Sequence, residues 1–288
     1  MSEHRLLVVD GTGIAYRAFH AIRGLRTRDG RPTNAIFGFL RALESERRKW
    51  RPTHWVVVFD GGRPSERVAL LDSYKAQRKP MPAELLDQLH QIDRFLDLAG
   101  IPYILIPGKE ADDLMAVVAR RAEKAGWEVI IVSSDKDLLQ LVSDRIRLAK
   151  PGKKAEAMGP EDVEALTGVS PSRIPLWLAL TGDPVDNIPG VRGIGPKRAA
   201  ELVARFGSLK DLEAHLDEVA PERIREALRE AVPVIARNLD LIRLKDDEQV
   251  NLSLEELAVR PVDPERVRPF LEEFELKSLL DSFRGGSS

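Results

Sequence analysis

The sequence predicts an α/β fold, a mostly parallel sheet flanked by helices, continued by a helical region. Three observations predict it. Short apolar runs alternate with helix-spaced segments over residues 1–157, the pattern of strands joined by helical crossovers. Acidic residues stand just after these runs, at the strand ends where open α/β sheets carry their ligands. From about residue 158 onward strand-like runs give way to helical spacing, with Gly and Pro clustered over 182–196.

Arg5-Leu-Leu-Val-Val9 is short, apolar and ends at Asp10, which reads as a buried strand. Gly11 and Gly13 follow, then a helix near Ile14–Ala21. Ile36, Phe39, Leu40 and Leu43 recur at helical spacing within 34–50. His54–Phe59 is the next strand and ends at Asp60. Residues 61–81 are basic, contain Gly61, Gly62, Pro64 and Pro80, and lack periodicity, which predicts a mobile loop or short helices. Residues 82–99 form an amphipathic helix between Pro82 and Gly100. A strand over Pro102–Ile106 precedes a helix over Ala111–Ala125, which Gly126 ends. Strands at Glu128–Val132 and Arg145–Leu148 flank a helix near Lys136–Leu141. The final Arg284-Gly-Gly-Ser-Ser288 reads as an unstructured tail.

Composition removes whole classes of function. Apolar residues are 43% and charged residues 31%, enough for a core. No apolar run approaches the ~18 residues of a membrane span, and the opening residues lack the apolar core of a secretory signal. The absence of cysteine excludes disulfides, thiolate zinc sites, iron–sulfur clusters and a cysteine nucleophile. The five histidines are scattered without metal-ligand spacing. The net charge of −2 hides an asymmetry: residues 20–80 hold 14 Lys/Arg against 6 Asp/Glu. A basic block beside acid-rich segments suits a protein that grips phosphates in one place and holds cations in another.

Asp10, Asp60, Glu110, Asp112, Asp113, Asp135 and Asp137 all follow predicted strands, so the topology brings them to one sheet edge. Clustered carboxylates repel one another and take up protons unless cations neutralise them. Oxygen ligands without His or Cys select hard cations, Mg²⁺ or Mn²⁺, and this many exceed one Mg²⁺ site. Two such ions form a clamp for phosphoryl displacement. Taken singly, Asp112, Asp113 and Asp135 also read as helix caps. Asp183 and Asp186 lie in a turn-rich loop, Gly182-Asp-Pro-Val-Asp-Asn-Ile-Pro-Gly190.

Downstream, Gly193 and Gly195 bracket Ile194, which can tuck between two helices, and Pro196 suits a first helical position. This is the layout of a helix–hairpin–helix over about 183–206, which grips the duplex backbone without reading sequence. Its DNA-binding candidates are Gly190, Arg192, Gly193, Gly195, Lys197 and Arg198. A plain packing corner between helices is the other reading. A dinucleotide-binding loop would need a preceding strand.

The motifs Val9-Asp-Gly-Thr-Gly-Ile-Ala-Tyr-Arg-Ala-Phe-His20, Val58-Phe-Asp-Gly61, Tyr74-Lys-Ala-Gln-Arg78, Gly108-Lys-Glu-Ala-Asp-Asp113, Ser134-Asp-Lys-Asp-Leu-Leu-Gln140 and Thr181-Gly-Asp through Gly195 occur together and in order. In this the chain resembles the bacterial 5′→3′ exonuclease and flap endonuclease family, closest to the N-terminal 5′ nuclease domain of DNA polymerase I. The resemblance covers nearly the whole chain. It implies a PIN-like core, a helical arch and a helix–hairpin–helix that often holds K⁺. It implies metal ligation by the nine acids: Asp10, Asp60, Glu110 and Asp112 at a first ion, Asp135, Asp137 and Asp186 at a second, with Asp113 and Asp183 less closely matched. Lys75 and Arg78 match arch cations that contact the scissile phosphate, and Tyr16 matches a residue that stacks near the cleaved nucleotide.

The expected division is a nuclease core over 1–157, including the arch at about 61–81, and a helical DNA-binding region over 158–288. The expected activity is hydrolysis of 5′ flaps and 5′ ends at duplex junctions, possible RNA primer strands included, by a cytoplasmic, nucleoid-associated monomer with no membrane partner. It belongs to replication and repair. Two alternatives remain open on the sequence: a DNA-structure-binding module without catalysis, and a PIN-type ribonuclease.

Overall fold

A computed structural model describes residues 4–152 and 156–280. The tail expected to be unstructured lies outside them. Strands β1 (Arg5–Asp10), β2 (His54–Phe59), β3 (Tyr103–Leu105), β4 (Glu128–Val132), β5 (Ile146–Ala149) and β6 (Ala157–Met158) form one sheet in the order β3-β2-β1-β4-β5-β6. All neighbours pair in parallel except β5 and β6, which are antiparallel. β6 has no signature in the sequence because two residues are too few to show a period.

The strands are apolar on both faces, as a covered parallel sheet requires. Helices α1 (Gly11–Ala21), α2 (Asn34–Trp50), α3 (Ser65–Leu70), α4 (Ala83–Ala99) and α5 (Ala111–Lys124) alternate with the first strands. α6 (Pro160–Thr167), α7 (Ile174–Thr181), α8 (Pro196–Phe206), α9 (Leu209–Ala214), α10 (Glu222–Ile242) and α11 (Pro264–Glu273) follow. Leu7, Val9, Trp55, Val57, Ile130 and Val132 pack with α1, α2, α4 and α11. Leu6, Val8, Val56, Val58, Val129 and Ile131 pack with α5 and, beyond it, α7, α8 and α10. The two-residue period of a strand produces this division.

Two expectations change in detail and a third takes definite form. α1 begins at Gly11, earlier than Ile14, because Asp10 caps it. The Lys136–Leu141 helix is a 3-10 helix over Asp137–Leu141. The basic 61–81 segment holds one six-residue helix, α3, and then turns. The end of the chain packs back onto the first half. The Val259 N–H donates to Thr53 O at 2.9 Å, and Phe270 of α11 meets Phe95 of α4 at 5.3 Å between ring centroids. Residues 259–280 therefore complete the α/β core. The buried Val267, Phe270 and Leu271 give α11 the apolar face that drives this return.

Candidate active site

Asp10 ends β1 and caps α1. Its Oδ1 accepts the Gly13 N–H at 2.7 Å, and its Oδ2 accepts the Ser133 hydroxyl at 2.8 Å. A Cβ at position 13 would lie 2.4 Å from Asp10 Oδ2, so glycine is what leaves the carboxylate room. Asp60 ends β2; its N–H donates to Thr12 Oγ1 at 2.8 Å, and its Oδ1 accepts from the Gly62 N–H at 3.0 Å. Glu110 and Asp112 stand at the start of α5. Asp135 follows β4, and its Oδ1 accepts the Asp137 N–H at 2.8 Å. Asp10, Asp60, Glu110, Asp112 and Asp135 line one cavity of about 640 Å³, with Tyr16, Lys75 and Arg78 in its wall.

Oxygens of three further acids, Asp137, Asp183 and Asp186, gather within 4.8 Å of one another. The last two come from the loop between α7 and α8, where Asp183 and Ile188 exchange backbone hydrogen bonds at 2.8 Å. Lys75 and Arg78 connect the two groups. The Lys75 ammonium pairs with Glu110 and lies 3.5 Å from Asp186 Oδ2, while Arg78 Nη2 lies 2.5 Å from Asp186 Oδ1. The Lys75 N–H also donates to Asp186 O at 3.0 Å, at a left-handed φ of 52° that a side chain adopts only at a cost.

The electrostatics follow from burial and like charge. Burial pushes the Asp10 and Asp60 carboxyls up, against the amides and hydroxyl that they accept from. Burial, then Asp135 and Asp10, hold Asp112 well above the carboxylate range. Burial, then Asp135, Asp186 and Asp183, push Asp137 to about 8. Burial raises Asp186 against the opposing pull of Lys75 and Arg78. Glu110 is also penalised by burial, but Lys75 and Arg67 outweigh that and lower it. Carboxyls raised by burial and crowding are what a bound cation would ionise. Asp137 Oδ1 is moreover buried with no hydrogen-bond partner among the described residues. The donors are all carboxylate oxygens, so the residues fit hard divalent cations.

Asp113 stands apart from this set. Its carboxylate accepts Arg67 Nη1 at 2.7 Å and Nη2 at 2.9 Å, and the Lys245 N–H at 2.9 Å, and it does not line the cavity. The structure does not bring Asp113 to the cavity beside Asp112: its oxygens are bound by Arg67 and a backbone amide. Arg67 was hidden in the basic block, where nothing in the sequence separates a buried guanidinium from a solvated one. Tyr74, whose hydroxyl donates to Glu110 at 3.1 Å, and the Thr12 and Ser133 hydroxyls were likewise not singled out by their pattern.

The Gly-rich turn lies between α7 and α8. Ile194 is buried, while Arg192, Gly193, Gly195 and Lys197 are exposed and Arg198 is half-buried. A Cβ at Gly195 would meet nothing within 4 Å, so the backbone there is open to a partner. Gly190 differs: a Cβ would lie 2.2 Å from Thr181 O, which ties its glycine to the fold. Asn238 on α10 holds the turn by donating to Pro189 O at 2.7 Å and Ala179 O at 3.2 Å.

Two family descriptions match the chain in succession: the 5′-3′ exonuclease N-terminal resolvase-like domain over residues 5–168, and the 5′-3′ exonuclease C-terminal SAM fold over 169–265. A 5′-3′ exonuclease of Aquifex aeolicus is 40% identical over 275 residues, covering 96% of this chain and 93% of the relative. The thermostable DNA polymerase I of Thermus thermophilus is 40% identical over 279 residues; the match covers 97% of this chain and 33% of that polymerase, so the chain spans about a third of it. A bacteriophage T5 flap endonuclease, in a pseudo-enzyme–product complex with DNA and metal ions, has the same fold, with a TM-score of 0.70 at 21% identity over 97% of each chain. The two successive family matches, the near full-length Aquifex relative and the convergent acids together place this chain in the 5′-3′ exonuclease family.

Proposed function

We propose that this chain is a structure-specific 5′ nuclease. It hydrolyses DNA phosphodiesters at 5′ flaps and 5′ ends, with two Mg²⁺ or Mn²⁺ ions, during primer and flap removal in replication and repair. The observation that carries this reading is the convergence of Asp10, Asp60, Glu110, Asp112 and Asp135 on one cavity, with Asp137, Asp183 and Asp186 drawn beside it through Lys75 and Arg78. Divalent ions held there supply Lewis-acid charge to the scissile phosphate and the attacking water.

The chain's own residues do the rest. Asp10, Asp60, Glu110 and Asp112 would hold one ion, and Asp135, Asp137 and Asp186, with Asp183 beside them, another. Lys75 and Arg78 now neutralise Glu110 and Asp186 at the cavity wall, where the same cations can meet a phosphate oxygen and offset the charge that grows in the transition state. Tyr16 offers a half-buried ring at the wall for a base to stack on. The exposed amides and cations at the start of α8 suit a duplex phosphate, and K⁺ is the ion we assign to that turn. Water adds across the P–O bond, leaving a 5′-phosphate and a 3′-hydroxyl. DNA, RNA primer strands and a monomeric, nucleoid-associated state complete the proposal.

Purified protein mixed with a 5′-flap duplex should cut only with Mg²⁺ or Mn²⁺ present; full cleavage in EDTA would falsify the metal reading. Asp135→Asn should abolish cutting with flap binding retained, and unchanged turnover would remove Asp135 from the site. Lys75→Ala should lose turnover by about 100-fold or more with little change in KM. Cleavage of RNA flaps in preference to DNA would favour a ribonuclease, and binding without cutting a non-catalytic module.

A further inference from the structure

Arg67, on α3, is 3% exposed and sits behind the cavity, not in its wall. A guanidinium has five N–H donors, and every one of them is used. Nε donates to Leu241 O at 2.9 Å, and Nη2 to Arg243 O at 3.3 Å. Nη1 and Nη2 grip both oxygens of Asp113, and Nη1 also pairs with Glu110 Oε2. The acceptors come from two parts of the molecule, the start of α5 and the end of α10, and α3 supplies the donor. Lys75 takes the other oxygen, Oε1, and the Tyr74 hydroxyl lies between the two, 3.1 Å from Oε2 and 3.2 Å from Oε1.

We infer that Arg67 is a positioning residue of the nuclease centre: by clamping Glu110 Oε2 while anchored to Asp113 and to two carbonyls at the end of α10, it fixes which way Glu110 presents its other oxygen. The inference rests on the reading of the site as a divalent-metal nuclease. Partners of a ligating carboxylate set its orientation, and losing one typically costs about 10- to 100-fold in metal affinity or activity. A surface cation could not do this, because it would not hold one geometry against its own side-chain entropy.

Charge alone would act in the opposite direction. A positive group beside Glu110 competes with a metal, so deleting it would favour binding. Arg67→Lys separates the two effects, since it keeps the charge but cannot grip Asp113 with both nitrogens while reaching two carbonyls and Glu110. Arg121 is the control. It is a tether of the same kind, from α5 to Leu252 O at 2.5 Å and Val250 O at 3.2 Å, without a carboxylate of the cavity.

The test is calorimetric titration of Mn²⁺ into the wild type, Arg67→Lys, Asp113→Asn and Arg121→Lys, with flap turnover measured on the same samples and folding checked by circular dichroism. Arg67→Lys should bind Mn²⁺ about tenfold or more weakly and lose kcat by a similar factor, with the flap KM within about twofold. Arg121→Lys should keep wild-type Mn²⁺ affinity even if its melting temperature falls. Should Arg67→Lys not fold, Asp113→Asn decides, because it loosens the anchor without touching Glu110 and should weaken Mn²⁺ binding in the same direction. Wild-type Mn²⁺ affinity and kcat in a folded Arg67→Lys, or in Asp113→Asn when that variant decides, overturn the inference, as does an equal loss in Arg121→Lys. A wild type that neither binds Mn²⁺ nor cuts overturns the nuclease reading itself.

Discussion

Asp10 caps a helix and lines the cavity at once. One oxygen takes the Gly13 amide and the other takes the Ser133 hydroxyl, and these bonds favour the ionised form that burial, and then Asp135 and Asp60, oppose. The cap and ligand readings are thus compatible for the same carboxylate. Asp93 on α4 is a half-buried acid without such help: its buried Oδ1 has no hydrogen-bond partner among the described residues, and burial pushes its carboxyl to about 6. The folded state therefore holds a proton more tightly than the unfolded chain. Stability is lost as pH rises from about 4 through 6, where the folded carboxyl must ionise. Asp93→Asn should be more stable than the wild type by about 1 kcal/mol above pH 6, a figure discounted for partial exposure, and the difference should vanish near pH 4. Urea unfolding across that range checks this; an advantage that is equal at both ends would exclude titration of Asp93 as its cause.

The connection from β2 to α4 and the hairpin between α7 and α8 are held to each other. The Lys75 N–H donates to Asp186 O, Gln77 Nε2 to Pro184 O at 3.0 Å, and Asn187 Nδ2 to Ser73 O at 2.9 Å. Fastened in this way, the two elements hold Lys75 and Arg78 against Asp186 at the cavity wall. The hairpin's outer side is exposed. Lys197 is exposed at the start of α8, where helix amides and positive charge both favour a phosphate. Lys197→Ala should weaken duplex binding evenly across sequences and reduce the slope of log K against log salt by about 0.9. A loss confined to one sequence would mean base reading instead.

At the scale of the molecule, the fold spends stability on its centre. Asp10, Asp60, Asp112, Asp137 and Asp186 are all raised by burial first, so the ion-free protein carries crowded acids in and beside its cavity. Two consequences follow from linkage. Mn²⁺ at about 100 times its Kd should add about 2.7 kcal/mol and raise the melting temperature by several degrees. Asp137→Asn should melt no lower than the ion-free wild type and respond less to Mn²⁺. Scanning fluorimetry with and without EDTA reads both, and a wild type insensitive to Mn²⁺ would count against a folded-state metal centre.

The sequence by itself determined five of the sheet's strands and the direction of their acids. Apolar runs ending in Asp10 and Asp60, and Asp135 soon after Val132, fix those carboxylates at strand ends, because a parallel strand can only deliver its last residue to the carboxyl edge. It also determined the buried Ile194 between exposed glycines. What only the tertiary structure decided is which charges meet. Asp112 and Asp113 are adjacent in sequence, but the helix turns successive side chains about 100° apart. One therefore enters the cavity and the other enters the grip of Arg67. The return of α11 to the first half of the chain was likewise decided by Phe95 and Phe270 closing on each other, a contact between distant residues that no local pattern encodes.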